Sequence, residues 1–464
     1  MHKRHKIIVN LLRLSFVSLF FLLTSFSLQA QDEKRTVSLQ DAINLALKQH
    51  RDAVNASLDV ENSEYQIMEV RSRALPQVSL NGTLNYSPLL QKSALPNIFG
   101  PNPNPDETIL VAFGQKWNST AGVNLTQNIF DKSVFTGLKA ARTTREFYQL
   151  NKQLTSENII EAVASAYYQV LVQRHKVGLL DTTIANAEKI QGVMKGLYDN
   201  GLAKKIDLDR MEVNISNLIS QRQQLMNAVT LLENQLKFLM GEDINTAIII
   251  PEENLDAIVP VAVPLTETAA VDNRTELQLL KKQEQLLVLQ KESYKSALYP
   301  TLSLSANYSY MGMGNTFPVF KGKDDGVNWF DFSTISLNLR IPLFSGFANK
   351  ARIQQADISL RKNRADQNYT KHALSLEFEN AKTQINNNLI TINHQRRNLE
   401  LAREVFENTH NNYLNGLASL TDLLDAENSL TEANNNYSQA LLDYRLAEIR
   451  MLKANGRLET LINK

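Results

Sequence analysis

The chain has 464 residues, 43% of them hydrophobic, with 49 Lys and Arg against 48 Asp and Glu and no cysteine. The lack of cysteine excludes disulfides, thiolate metal sites, cysteine nucleophiles and a lipid-modified N-terminal cysteine. Four bases (Lys3, Arg4, Lys6, Arg13) and no acid lie in residues 1–30, so the remainder carries 45 against 48, or −3. That balance gives no bulk electrostatic reason to bind nucleic acid.

Residues 1–30 read as a secretory signal: a basic start, an apolar Leu14–Leu28 and small Ala30 before a polar stretch. Residues 38–74 then carry apolar positions at helical spacing and stop at Leu75-Pro76, where proline ends a helix. Over 76–130 the period changes to two. Val78, Leu80, Leu84 and Tyr86 alternate with Gln77, Ser79, Asn81, Thr83 and Asn85, and Ala121, Val123 and Leu125 alternate with Asn124 and Thr126. Between these two strands, residues 88–116 are rich in Pro, Asn and Gly and are expected to be a loop.

From 131 to 199 the period returns to 3.6, with Ile159, Val163, Ala166, Val170, Val177, Leu180 and Ile184 forming a coiled-coil-like seam. Asn200-Gly201 breaks it, a shorter helix covers 202–240, and 251–265 is expected to be a linker. The same order then recurs. A helix from 266 ends at Tyr299-Pro300. A hairpin is expected over 300–344, a long helix over 347–412, the break Asn415-Gly416, and a shorter helix over 417–455. The breaks lie 215 residues apart, as do Asp207 and Asp422, and Glu212 and Glu427. The reading is a duplicated chain of mixed α+β class, mostly helical, with repeats over 31–250 and 266–464.

The strand lengths suit a tilted transmembrane β-strand of about 9–11 residues. Tyr86, Trp117, Phe130, Tyr308, Tyr310, Trp329, Phe330, Phe332 and Phe344 fall at strand ends, where aromatic rings suit a membrane interface. Four strands cannot close a barrel, and hydrocarbon tolerates no open edge. A membrane reading therefore demands an oligomer; three chains supply 12 strands, with Asn124, Thr126, Ser305, Asn338 and Arg340 toward the lumen. The alternative is a soluble periplasmic coiled-coil interaction protein with two incidental hairpins.

Signatures of chemistry are missing. There is no phosphate loop, zinc helix or nucleophile elbow, and the seven histidines are scattered. The expectation is a protein without enzymatic activity, cofactor or resident metal.

Two strand exits, Val123-Asn124-Leu125-Thr126-Gln127-Asn128-Ile129-Phe130 and Leu337-Asn338-Leu339-Arg340-Ile341-Pro342-Leu343-Phe344-Ser345-Gly346, carry a further signal. So do the turns Tyr198-Asp199-Asn200-Gly201 and Tyr413-Leu414-Asn415-Gly416. In this order, over nearly the whole mature chain, they resemble the outer membrane efflux protein family, the TolC-type outer membrane factors of Gram-negative bacteria. The resemblance implies a homotrimer in the outer membrane: a 12-stranded β-barrel continuous with a long periplasmic α-helical barrel. It also implies an exit duct for efflux, working with a periplasmic adaptor (membrane fusion) protein and an inner-membrane transporter, in contact with outer-membrane lipid. A duct for type I polypeptide secretion is the alternative.

Thr421-Asp422-Leu423-Leu424-Asp425 matches the family's acidic constriction pattern, which makes Asp422 and Asp425 the gate candidates, with Asp207 and Tyr413 as lock partners. A simpler reading of such acids is a helix cap or dipole partner. Ala418 stands where the family's lock has an arginine, leaving Lys204, Lys205 or Arg210 as substitutes. The turns at Asn200, Gly201, Asn415 and Gly416 are the expected adaptor contacts.

Overall fold

A computed structural model describes residues 35–98, 104–251, 262–264 and 266–462. The expected signal, 1–30, and most of the expected linker, 251–265, lie outside the described residues. In chain order the elements are β1 (Arg35–Thr36), α1 (Leu39–Gln49), α2 (Arg51–Ser72), β2 (Gln77–Tyr86), β3 (Lys92–Asn97), β4 (Asn104–Ala112) and β5 (Trp117–Phe130). Then come α3 (Lys132–Asp199), α4 (Lys205–Met240), β6 (Ile248–Ile249), α5 (Thr275–Ser296), β7 (Thr301–Gly314), β8 (Val327–Arg340), α6 (Ala348–Leu414) and α7 (Leu420–Ala454). The fold is α+β, mostly helical, and repeats its order of elements.

The structure corrects two expectations. The helix expected over 38–74 is two helices. His50 leaves helical geometry with ψ 132°, and its ring Nδ1 accepts the Asp52 N–H at 3.2 Å, so one side chain both breaks α1 and caps α2. The loop expected over 88–116 contains an antiparallel hairpin, β3 with β4. Pro96 sits at its bulge, on a strand with only one partner, where a missing N–H costs little.

The chain divides into two compact units. One comprises Met1–Val54, Thr155–Ala270 and Leu374–Lys464; the other comprises Asn55–Leu154 and Val271–Ala373. In the first, the seam residues Val163 and Val170 of α3, with Ile160 and Tyr167 beside them, share one core with Ile43 of α1, Leu236 of α4, Phe378 and Ile392 of α6, and Leu441 and Tyr444 of α7. A second core joins Leu180, Ile184, Ala187, Ile190 and Met194 to Met211, Ile215 and Leu218 of α4 and Leu420 and Leu423 of α7. After α4, β6 pairs in parallel with β1 (Arg35 with Ile248, Thr36 with Ile249).

In the second unit β2, β5, β7 and β8 form one antiparallel sheet in that order, with β2 and β8 as its edges. β2 has 10 residues and the other three have 14 each. The helices of this unit are joined to one another by charge pairs, and one cation stacks on the ring just before β7. Arg145 pairs with Glu64 at 3.2 Å, Lys291 with Asp357 at 2.6 Å, and the Lys132 ammonium lies 3.4 Å from the centre of the Tyr299 ring.

Candidate functional site: paired helix turns and a split-faced sheet

The two glycine turns are built alike, bond for bond. Leu202 N–H donates to Leu197 O at 2.8 Å and Gly201 N–H to Tyr198 O at 2.8 Å; Leu417 donates to Asn412 at 2.8 Å and Gly416 to Tyr413 at 3.0 Å. Each is a six-to-one bond enclosing a five-to-two bond, the Schellman closure of a helix C-terminus. It requires a left-handed residue, and Gly201 and Gly416 supply it at φ 74° and 72°. Asn200 and Asn415 each turn their side-chain amide back to a carbonyl four residues earlier, at 2.7 and 2.8 Å. These four residues are exposed.

After the turns the copies diverge. In the second, Ser419 is the N-cap of α7 and forms a capping box with Asp422. The Asp422 N–H donates to Ser419 Oγ at 3.2 Å, while Asp422 Oδ2 accepts from the Ser419 N–H at 3.0 Å and hydroxyl at 2.7 Å. The Ser419 hydroxyl, and then its N–H, hold the Asp422 carboxyl below its ordinary value. Within one chain, then, the shift opposes the rise that a ring of mutually repelling carboxylates would cause. Asp425, one turn on, is exposed. In the first copy Lys204 takes the N-cap position of α4 without a side-chain cap, so Asp207 has no box of this kind.

Tyr413 joins the two copies: its hydroxyl donates to Met194 Sδ. Burial, then the charge of Asp207, push the Tyr413 hydroxyl above its ordinary pKa. Arg210 of α4 reaches Thr421 of α7 with Nη1 to Oγ1 at 3.4 Å. Of the three cations named for the place of the missing arginine, this one spans from α4 to α7.

Sequence reasoning passed over a polar pair one turn further into the core. Asn214 donates its amide to Glu427 Oε2 at 3.1 Å, and Glu427 is only 5% exposed. Burial raises this carboxyl above its ordinary value, partly opposed by the Asn214 bond. The 215-residue equivalence with exposed Glu212 drew attention to Glu427 without revealing its burial.

Paired residues in an antiparallel sheet share a face. The register therefore sorts the sheet. Ser79, Asn124, Asn307 and Thr334 lie in one rung, and Gln77, Thr126, Ser305 and Ser336 in the next on the same face. Asn338 and Arg340 continue that face opposite Ser303 and Thr301. All five residues assigned to a lumen thus lie together, and the Asn338 amide donates to Ser305 Oγ at 3.0 Å. Val78, Leu80, Val123, Leu125, Leu302, Leu304, Leu337 and Leu339 take the other face. Near the outer ends of the strands, that face carries Tyr86 beside Trp117, centroids 4.5 Å apart, and Tyr310 stacked on Trp329 at 5.1 Å.

The aromatic assignment needs one correction. Phe330 and Phe332 alternate with Trp329 and lie on the polar face, opposite Met311 and Ser309. They are not part of the belt that Trp329 belongs to.

No helix among the described residues is long and apolar enough to cross a membrane, and none of their His, Asp and Glu side chains cluster as a metal site. The membrane-compatible surface is the sheet. A duplicated chain whose four-stranded sheet is polar on one face, apolar on the other and, among the described residues, open at both edges defines the protomer of a β-barrel channel.

The comparisons give the family. The model for "Outer membrane efflux protein" matches residues 42–242 and 268–457, one segment per repeat, and the chain belongs to this family. It is 22% identical to outer membrane protein TolC of Vibrio cholerae over 391 residues, 84% of this chain and 83% of that one. It is 24% identical to the pyoverdine export outer membrane protein OpmQ of Pseudomonas aeruginosa, over 70% of this chain and 65% of the relative. Among solved structures it resembles CusC, with TM-score 0.71, 17% identity and coverage of 93% and 95%. It also resembles the Campylobacter jejuni CmeC outer membrane channel, with TM-score 0.71, 16% identity and coverage of 90% and 85%.

Proposed function

We propose that three copies of this chain pair edge to edge and close a barrel of three times four strands in the outer membrane of a Gram-negative bacterium. The helices form the periplasmic tube, and the assembly is the exit duct of a tripartite efflux system. The observation that carries this reading is the sheet. Leu80 is 76% and Ile335 79% exposed on the apolar face, and the edges β2 and β8 have no partner strand among the described residues. Such a surface is stable only where lipid covers the face and another copy satisfies the edges. The duct is passive, and a partner supplies the energy.

The glycine turns form the periplasmic end, with Asp422, Asp425, Asp207 and Tyr413 at the constriction. A periplasmic adaptor docks at Asn200, Gly201, Asn415 and Gly416, whose exposure supports that role. The cargo is small molecules handed on by an inner-membrane pump. The competing cargo, a secreted polypeptide, draws support from 20% identity to the alkaline protease secretion protein AprF of Pseudomonas aeruginosa, over 73% of this chain. The mature chain in detergent is expected to be a trimer that opens channels in planar bilayers. A stable monomer without conductance overturns the duct.

A further inference from the structure

The polar face of the sheet changes character toward its outer end, and the change belongs to one hairpin. From Arg340 to Thr334, β8 places Arg340, Asn338, Ser336 and Thr334 on the polar face and Leu339, Leu337 and Ile335 on the apolar one. Beyond Thr334 the assignment inverts. Phe332 and Phe330 lie on the polar face, and Ser333 and Asp331 on the other. The β7–β8 register runs unbroken from Thr301–Arg340 to Gly314–Val327. The inversion is therefore written in the side chains and not produced by a bulge.

Both sides of the inverted rungs are occupied in kind. On the apolar face Tyr308 donates its hydroxyl to Asp331 Oδ2 at 3.2 Å, and the Trp329 ring covers Gly312 so closely that a Cβ there would lie 2.6 Å from it. On the polar face Phe330 pairs with Met311, whose other neighbour is Thr120; Phe332 pairs with Ser309, whose other neighbour is Gly122. The Ser309 side chain is buried over Gly122, while Phe332 and Phe330 stay 40% and 45% exposed. Rings left facing water on a wall of hydroxyls and amides are stabilised by any passing apolar surface that covers them.

We infer that Met311, Phe330 and Phe332 form a contact site on the inner wall, near the outer end of the duct, for organic molecules with an apolar ring surface. The inference rests on the duct reading, since it takes the polar face as the lumen. Ring and thioether offer dispersion and sulfur–aromatic contact. The two rungs that carry them, Thr83–Thr120–Met311–Phe330 and Asn81–Gly122–Ser309–Phe332, hold no charged residue. The site therefore selects by apolar shape and is indifferent to the sign of charge. Any molecule leaving the duct passes these rungs, and three copies present three such patches alternating with the Thr and Asn of β2 and β5.

The test uses the full-length trimer in planar bilayers, with two probes of equal charge, tetraphenylphosphonium and tetramethylammonium. Wild type is expected to show resolvable block by tetraphenylphosphonium alone. Phe330→Ser with Phe332→Ser shortens the blocked dwell time at least about fivefold, and Phe330→Leu with Phe332→Leu, which keeps apolar packing, gives an intermediate loss. Conduction with block unchanged in both variants overturns the site while the duct stands. A wild-type trimer that conducts nothing overturns the duct and the site together. Because the chain has no cysteine, facing is checked directly: Phe332→Cys in liposomes reacts with a membrane-impermeant maleimide and Ile335→Cys does not. The reverse pattern also overturns the site.

Discussion

Asn214 holds one oxygen of the Glu427 carboxylate at 3.1 Å, while the other oxygen, Oε1, is buried with no hydrogen-bond partner among the described residues. A charged carboxylate in that position is under-solvated, which is why its protonated form is favoured. A folded-state value above the unfolded one contributes stability that is fully present below the ordinary Glu pKa and lost as pH rises through the raised value. The α4–α7 contact is therefore tightest in acid and loosens as pH rises through that raised value. Glu427→Gln mimics the protonated group. It should flatten this pH dependence and raise the apparent melting temperature of the trimer on the alkaline side. Calorimetry at pH 5 and pH 8 checks this; an unchanged pH slope in the variant would show that Glu427 is not the responsible group.

The capping box gives a second prediction with the opposite sign. Ser419→Ala removes the hydroxyl that caps α7, at a cost of about 1 kcal/mol to that helix end. It also removes the largest cause of the lowered Asp422 pKa. A carboxyl held low contributes stability above the ordinary Asp value that is lost as pH falls through the folded value. In Ser419→Ala the acid-side loss of stability contributed by Asp422 should accordingly flatten, and the Asp422 carboxyl should titrate at a higher pH than in wild type. Carbon-detected NMR titration of Asp422 in wild type and variant measures the shift.

The turns themselves are testable through handedness. A Cβ at Gly201 or Gly416 would meet nothing within 4 Å, so an alanine there is strained by φ alone. Each Gly→Ala should cost about 1 kcal/mol, and Gly→Asn clearly less, because Asn tolerates the left-handed region. If the turns also serve as adaptor contacts, Gly→Asn should weaken adaptor cross-linking out of proportion to its effect on stability. Equal small effects on both would place the contact elsewhere.

Period alone made the main elements legible, because alternation and 3.6-residue spacing are local properties of the chain. The recurrence at 215 residues was legible for the same reason, and it extends to individual bonds, Leu197 to Leu202 and Asn412 to Leu417. What failed to show depended on distant neighbours or subtler local chemistry. His50 breaks a helix without the proline or glycine that announces a break. The β3–β4 hairpin was hidden by Pro96 and the surrounding asparagines. Phe330, Phe332 and Trp329 looked like one aromatic cluster in sequence, and only register separates their faces, since one residue along a strand reverses direction. For the gate, the sequence nominates Asp422 and Asp425, while the cap bonding of Asp422 and the burial of Glu427 depend on local geometry and on how α7 is rotated in its core.

The gate assignment remains the sharpest claim to test, because Asp422 has a complete structural explanation as the partner of the Ser419 cap. An oxygen at position 422 accepts from the Ser419 N–H whether the side chain is Asp or Asn, so Asp422→Asn should leave α7 and trimer assembly largely intact. A ring of carboxylates, by contrast, acts through net charge, which Asn removes. Three copies of Asp422 and Asp425 would concentrate six negative groups at the constriction and attract cations there. Asp422→Asn with Asp425→Asn is therefore expected to lower cation preference and weaken block by multivalent cations in single-channel recordings. The control is an equally acidic pair elsewhere on the helices, Glu377→Gln with Glu379→Gln. Low salt is the right condition, because at ~1 M the field is screened over ~3 Å. Loss of selectivity in the Asp pair alone assigns the gate. Unchanged selectivity and block would leave Asp422 as the capping-box partner of Ser419 and move the constriction to other residues.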